Sequence, residues 1–250
     1  MANISLIFAI LFSFSSTIFA AQPAPSADEI ARRAVDNAGG GPAWEKARYF
    51  AFTFNVVRDG KVTASFPQQL DRMTGNYRVS GLKPNGQPYE AIVNIGSKTV
   101  RGTVGGKPVT ERAQLEELYE LAYRRFINDM NWLLMPLELF YNGVHRAYEG
   151  ERTDSCGHTW DVVKLTFDAG LGMAPGEVYY MWINRDTGLV DEWDIKVSKS
   201  DQAPIQLMFH DYRRVAGLLL SLQREVKGKN QTMRFDELRI LPEVPKGAFE

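Results

Sequence analysis

Arg48-Tyr-Phe-Ala-Phe-Thr-Phe-Asn-Val-Val-Arg-Asp-Gly-Lys-Val-Thr-Ala-Ser-Phe66 decides how the rest of the chain reads. Phe50, Phe52, Phe54 and Val56 alternate with Ala51, Thr53, Asn55 and Val57. A period of two sends successive side chains to opposite faces of a strand, and Asp59-Gly60 supplies the tight turn that folds it back. The stretch therefore predicts a β-hairpin, not a helix.

Working outward, the same criteria predict strands at Tyr77 to Val79, Ala91 to Ile95, Lys98 to Val104, Val162 to Phe167 and Val178 to Asn184. Further strands are predicted at Leu189 to Val197, Ile205 to Tyr212, Gly217 to Val226 and Thr232 to Ile240. Turn chemistry separates them at Lys83-Pro84-Asn85-Gly86, Gly105-Gly106, Pro175-Gly176, Asp186-Thr187-Gly188 and Lys227-Gly228-Lys229-Asn230. About eleven strands joined mostly by short turns imply a large, curved antiparallel sheet.

Two segments carry a helical period instead. Ser26-Ala-Asp-Glu29 fits a capping box, Ile30, Ala31, Ala34, Val35 and Ala38 form an alanine-rich stripe behind it, and Gly39-Gly40-Gly41-Pro42 ends it. From Glu111 to Asn131, Leu115, Leu118, Tyr119, Ala122 and Phe126 recur at three- and four-residue intervals, and Pro136 ends or kinks the helix beyond them. The expected fold class is α+β and mainly antiparallel β: an unclosed half-barrel of about eleven strands with helices over its open side. Residues 22–250 are read as one domain.

The 250 residues carry 29 Lys plus Arg against 30 Asp plus Glu, and this balance argues against nonspecific binding of nucleic acid. An apolar run from Ile4 to Phe19, followed by Ala20, Ala21 and Gln22-Pro23, predicts a signal peptide over residues 1–21 and hence export to the periplasm. Cys156 is the single cysteine, so no intramolecular disulfide forms and stability has to come from the core.

No catalytic constellation emerges. Cys156-Gly-His158 lacks the second pair that a zinc site needs, no nucleophile elbow is present, and Gly170-Leu-Gly172-Met-Ala-Pro175-Gly176 places proline where a dinucleotide loop needs glycine. No catalytic residue, metal or cofactor is assigned. Asp191, Glu192, Asp194 and Asp211 are read as solvated strand positions, with His145, His158 and His210 kept as alternatives for a hydrolase or isomerase. Large soft side chains stand out more: Trp132-Leu133-Leu134-Met135, then Tyr179, Tyr180, Met181, Trp182 and Trp193, then Leu207, Met208 and Phe209. They serve either as an ordinary core or as the lining of an apolar cavity.

Asn128-Asp129-Met-Asn-Trp132-Leu133-Leu134-Met-Pro136, Asn142-Gly143-Val144, Trp160 to Phe167, Thr187-Gly188-Leu189-Val190 and Asp211-Tyr212-Arg213-Arg214-Val215-Ala-Gly217-Leu218 resemble a group of exported bacterial proteins. That group is similar in pattern to the LolA/LolB-type lipoprotein carriers. The resemblance implies an unclosed antiparallel barrel with a helical lid, a periplasmic location and an apolar cavity for acyl groups. It implies no catalytic residue. The expected function is thus a non-enzymatic binding protein for a lipid or other apolar small molecule, with an envelope protein or membrane as its partner. Trp132, Leu134, Met135, Trp182, Trp193 and Met208 are the candidate ligand contacts. The rival reading is a structural or interaction module of the envelope whose interior is filled.

Overall fold

The computed structural model describes residues 25–169, 176–197 and 202–250. The expected signal peptide and most of the Gly170 to Gly176 loop lie outside them. Thirteen strands form one sheet, each antiparallel to its neighbours, in the order β6-β5-β4-β3-β2-β1-β13-β12-β11-β10-β9-β8-β7. The first half of the chain supplies β1 (Tyr49–Arg58), β2 (Lys61–Asp71), β3 (Asn76–Leu82), β4 (Pro88–Asn94), β5 (Thr99–Val104) and β6 (Lys107–Pro108). The second supplies β7 (Val144–Thr153), β8 (Thr159–Phe167), β9 (Val178–Asn184), β10 (Val190–Lys196), β11 (Ile205–Val215), β12 (Leu218–Val226) and β13 (Gln231–Leu241). β1 and β13 pair at the centre, so β6 and β7 are the two free edges and the barrel stays open.

This order dictates where the helices go. The chain leaves the sheet at one edge, β6, and re-enters at the other, β7, so the connection has to span the sheet's whole width. It does so as α3 (Arg112–Arg125), a π-helical turn (Phe126–Met130) and α4 (Asn131–Glu138). With α1 (Ala27–Asn37), these elements cover the inner face. α3 lies on β3, β4 and β5, α4 on β12, and α1 on β7 and β8. The capping box of α1 forms as expected, with the Glu29 amide donating to Ser26 Oγ at 3.2 Å and the Ser26 amide to Glu29 Oε2 at 2.7 Å.

The inner face is set by the hairpin that opens the sheet. Phe50, Phe52 and Phe54 face inward opposite Leu70, Gln68 and Phe66, and Tyr77, Val79, Ala91 and Val93 continue the layer across β3 and β4. Proline cannot donate to a ladder, and β2 meets β3 only from Gln68 onward, which leaves Pro67 at the fork where the two strands part. A second fork separates β12 from β13, whose ladder runs only from Gln223 to Glu225. The end of α1 fills it: the Leu219 amide donates to Ala38 O at 2.9 Å. At Gly39, φ is 90° and a Cβ would stand 2.5 Å from the Gly217 carbonyl oxygen, so the close approach requires glycine there. α2 (Pro42–Lys46) then leads into β1.

The strand total departs from the sequence expectation of about eleven, because β6 and β7 carry no apolar alternation. β7 is a free edge, and its inward positions include Arg146, which donates to Asp28 on α1 and lies 4.4 Å from the Phe140 ring. Inward charge and the Gly150 bulge are devices that discourage an exposed edge from pairing with another chain. The second helical region also runs further than expected, to Glu138, with Pro136 inside α4 instead of terminating it.

Candidate functional site

Beneath α4 the inner face is apolar apart from Arg224 and Ser221 of β12. Leu133, Leu134, Met135 and Leu137 are buried between the helix and the sheet. Trp132, half-buried, packs edge-on against Phe54 at 6.2 Å. Trp193 is wholly buried, with its ring 4.9 Å from Phe209 and 5.7 Å from Tyr179. Its indole nitrogen finds no hydrogen-bond partner. A buried donor left unpaired costs free energy, so Trp193→Phe, which removes that donor along with part of the ring, is expected to lower stability by only about 1–2 kcal/mol in denaturant titrations. A cost of full truncation size would show that the indole nitrogen is satisfied in solution.

The six candidate contacts do not converge. Trp132, Leu134, Met135 and Trp193 lie on the inner side, whereas Trp182 and Met208 stand on the outer face, both directly opposite Glu192. Strand alternation is the reason: Trp193 pairs with Met181 and Leu207, so those two point inward and their neighbours point out. Met181 and Leu207 are inner-face residues that the sequence reading did not select, because they share the parity of Trp193 only through the register of β9 and β11 with β10. Outside, the Trp182 indole N–H donates to Asp194 Oδ2 at 3.2 Å, and Trp160 donates to Asp191 Oδ2 at 2.8 Å.

Among these carboxylates, Glu192 is not a solvated position. It is buried, shares the Gln206 amide with Asp194, and has its carboxyl pushed up by burial and by the neighbouring Asp194. The three histidines each meet a carboxylate: His145 with Asp168 at 2.7 Å, His158 with Asp154 at 2.9 Å and His210 with Glu225 at 3.4 Å. All three pairs are exposed, and none lines a described cavity. Among the described residues, no group of three His, Cys, Asp or Glu side chains is arranged to hold a metal ion, and no helix is long and apolar enough to cross a membrane.

Two polar clusters fasten the cover. The π-helical turn directs Asp129, which is wholly buried, onto β2: Gln68 Nε2 donates to Asp129 Oδ2, and the Tyr77 hydroxyl donates to Gln68 Oε1 at 2.6 Å. Asn128 donates to Asp129 Oδ1 at 2.8 Å, and Arg125 stands 3.6 Å away. The second cluster centres on Arg224 of β12, a buried arginine with no carboxylate partner among the described residues. It donates to Trp132 O at 2.8 Å and to Ser221 O at 2.9 Å, with its guanidinium 3.6 Å from the Phe209 ring centre. Burial brings its pKa down to about 9. Between α1, α4 and β12, a cavity lined by Ala34, Leu133, Pro136, Phe209 and Arg224 measures about 10 Å³. That is room for no more than a single water.

An open, helix-covered antiparallel half-barrel with a mostly apolar inner face is thus the class of protein the geometry defines. The chain is similar over 91% of its length to a LolA superfamily protein from Nitrosomonas europaea, covering 98% of that chain at 10% identity with a TM-score of 0.54. This likeness shows the fold to be LolA-like. A putative outer membrane lipoprotein-sorting protein domain from Vibrio parahaemolyticus aligns with 89% of this chain and 95% of its own at 9% identity and a TM-score of 0.46. The Mycobacterium tuberculosis lipoprotein LppX aligns with 86% and 95% of the two chains at 10% identity and a TM-score of 0.27. No protein-family model and no curated protein matches the sequence.

Proposed function

We propose that the protein is exported to the periplasm and there holds an acyl chain or another apolar ligand on the inner face of the sheet, beneath α4, without catalysing a reaction. A single observation supports this reading most directly: the inner face of an open sheet is mostly apolar, with Gln68, Asp161 and Arg224 as buried polar exceptions, and a short helix rich in leucine and methionine covers it, tied by a few polar bonds. Displacing Leu133, Leu134, Met135 and Leu137 by a lipid exchanges one hydrocarbon surface for another. Each buried methylene of the ligand returns ~0.8 kcal/mol, so the exchange needs little net free energy. Trp132 and Trp193 would border the exposed trough. The LolA-like fold agrees with this use, and an envelope protein or membrane is the proposed donor or acceptor of the ligand.

Organic-solvent extraction of the purified protein, followed by titration with a fluorescent fatty acid, tests the reading. Co-purified lipid or saturable uptake is expected. An extract without lipid, together with no uptake, overturns it in favour of the second reading, a structural module with a filled core. A cavity of only about 10 Å³ between α1, α4 and β12 is the observation that favours that alternative.

A further inference from the structure

A cavity lies on the opposite side of the sheet from the helices. It is a cleft of about 770 Å³ across the outer face of β13, β1, β2, β3 and β4. The register explains why a depression forms there. Ala51 lies between Arg239 and Gln69, and Thr53 lies opposite Pro67, so small side chains make the floor while long ones rise on either side. A bulge at Glu237, where φ is 58°, shifts the register between Ala51 and Thr53 and sets Glu237 beside the floor. The C-terminal stretch crosses the same face nearby, its Ala248 carbonyl accepting from Arg78 Nη1 at 3.3 Å.

The cleft holds more hydrogen-bonding capacity than the protein uses. Arg78 is engaged by Glu90, at 2.8 Å. Thr53, Ser80, Glu237 and Arg239 line the cleft, and none of their side chains has a hydrogen-bond partner among the described residues. The Gln69 amide oxygen, also in its wall, is buried and unpaired.

We propose that this cleft is a binding site for a neutral oligosaccharide, separate from the inner-face site and independent of the reading given for it. Charge selects against an ionic ligand, because Arg78 offsets Glu90 and Arg239 offsets Glu237. Hydroxyl groups both donate and accept, which matches a wall that offers a guanidinium, a carboxylate, an amide and two hydroxyls together. The C–H face of a sugar ring has the low apolar floor of Ala51 and Pro67 to rest on. An extended peptide fits less well: a peptide gains affinity by adding to a sheet edge, and the central strand of the cleft, β1, is paired on both sides.

The test is an amide-shift titration of the ¹⁵N-labelled chain with maltotetraose, cellotetraose and tetra-N-acetylchitotetraose in turn. At least one is expected to shift Ala51, Thr53, Gln69, Ser80 and Arg239 saturably. Thr53→Tyr, which fills the floor with a residue that strands accept, is expected to abolish the shifts, and Arg239→Ala to weaken binding at least five-fold. Both variants should keep the far-ultraviolet spectrum and any fatty-acid uptake of the parent. Three results overturn the proposal: no shifts with any of the three sugars, shifts that persist undiminished in Thr53→Tyr, or equal shifts with an unrelated tetrapeptide.

Discussion

Arg224→Ala is expected to destabilise the fold by about 3–5 kcal/mol, while Arg224→Met is expected to stay within about 2 kcal/mol of the parent. The difference separates what Arg224 fills from what it bonds. Its guanidinium is buried against Phe209 and Phe235 with no countercharge among the described residues, and burial of a lone cation is costly in itself. Alanine removes that cost but leaves a cavity and several carbonyls without donors. Methionine fills the space and makes sulfur–aromatic contact with the same rings.

The reason for an arginine lies four residues before Pro136. In a helix, the Trp132 carbonyl would accept from the amide of residue 136, and proline has none. Arg224 Nη2 supplies the missing donor at 2.8 Å. A double-mutant cycle checks this directly. Pro136→Ala restores a backbone amide, so it is expected to stabilise the Arg224→Met background by about 1 kcal/mol more than it stabilises the parent, the net worth of one hydrogen bond. A coupling of zero in urea-unfolding measurements would mean that Arg224 and Pro136 act independently, and the account of this buried arginine would fail.

That pairing also shows where sequence reasoning stops. Pro136 reads locally as a residue that ends or kinks a helix, and that it lies inside α4 depends on a strand nearly ninety positions later, which delivers the donor it lacks. The Phe50, Phe52, Phe54 alternation was legible because β1 sits at the centre of the sheet, where the inner face is deeply buried. β7 was not, because an edge strand is under pressure to look polar. The candidate site was half legible for a related reason. Trp193 and Trp182 are equally apolar as letters, but strand parity puts one beneath the helices and the other outside with its N–H on Asp194, and parity across β9 and β10 depends on a register that only the fold supplies. Asp129 gave no signal at all, since only the π-helical turn aims it at Gln68.

The thermal midpoint is expected to be highest near pH 4–5 and to fall as the pH rises toward 8, the reverse of the usual trend for paired carboxylates. Burial holds the Asp129 carboxyl up to about 6, against the pull of Arg125, Asn128 and Gln68, and holds Glu138 up to about 7, with Arg72 opposing. Unfolded, both groups lose their protons near pH 4. Between there and pH 7 the folded chain binds more protons than the unfolded one, so stability declines across that window and levels off above it. Each group accounts for on the order of 3 kcal/mol. On the acid side the sign inverts. Asp71, bridged to Arg48 at 3.0 and 2.9 Å and bonded to Thr74, is held down to about 2, so its contribution is present above pH 4 and is lost as the pH falls toward 2. Asp129→Asn and Glu138→Gln keep the shape of each side chain without its charge, and together they should flatten the decline between pH 5 and 8 while leaving the acid limb in place. Calorimetric scans across that range decide the matter. A parent midpoint that climbs steadily to pH 8, or a double variant with the parent's slope, would show that these two carboxyls on the helical cover are not held in their neutral forms. If the decline is found, the same linkage reaches function: ionisation of Asp129 and Glu138 loosens the segment lying over the apolar face, so any ligand taken up there should enter faster at pH 8 than at pH 5.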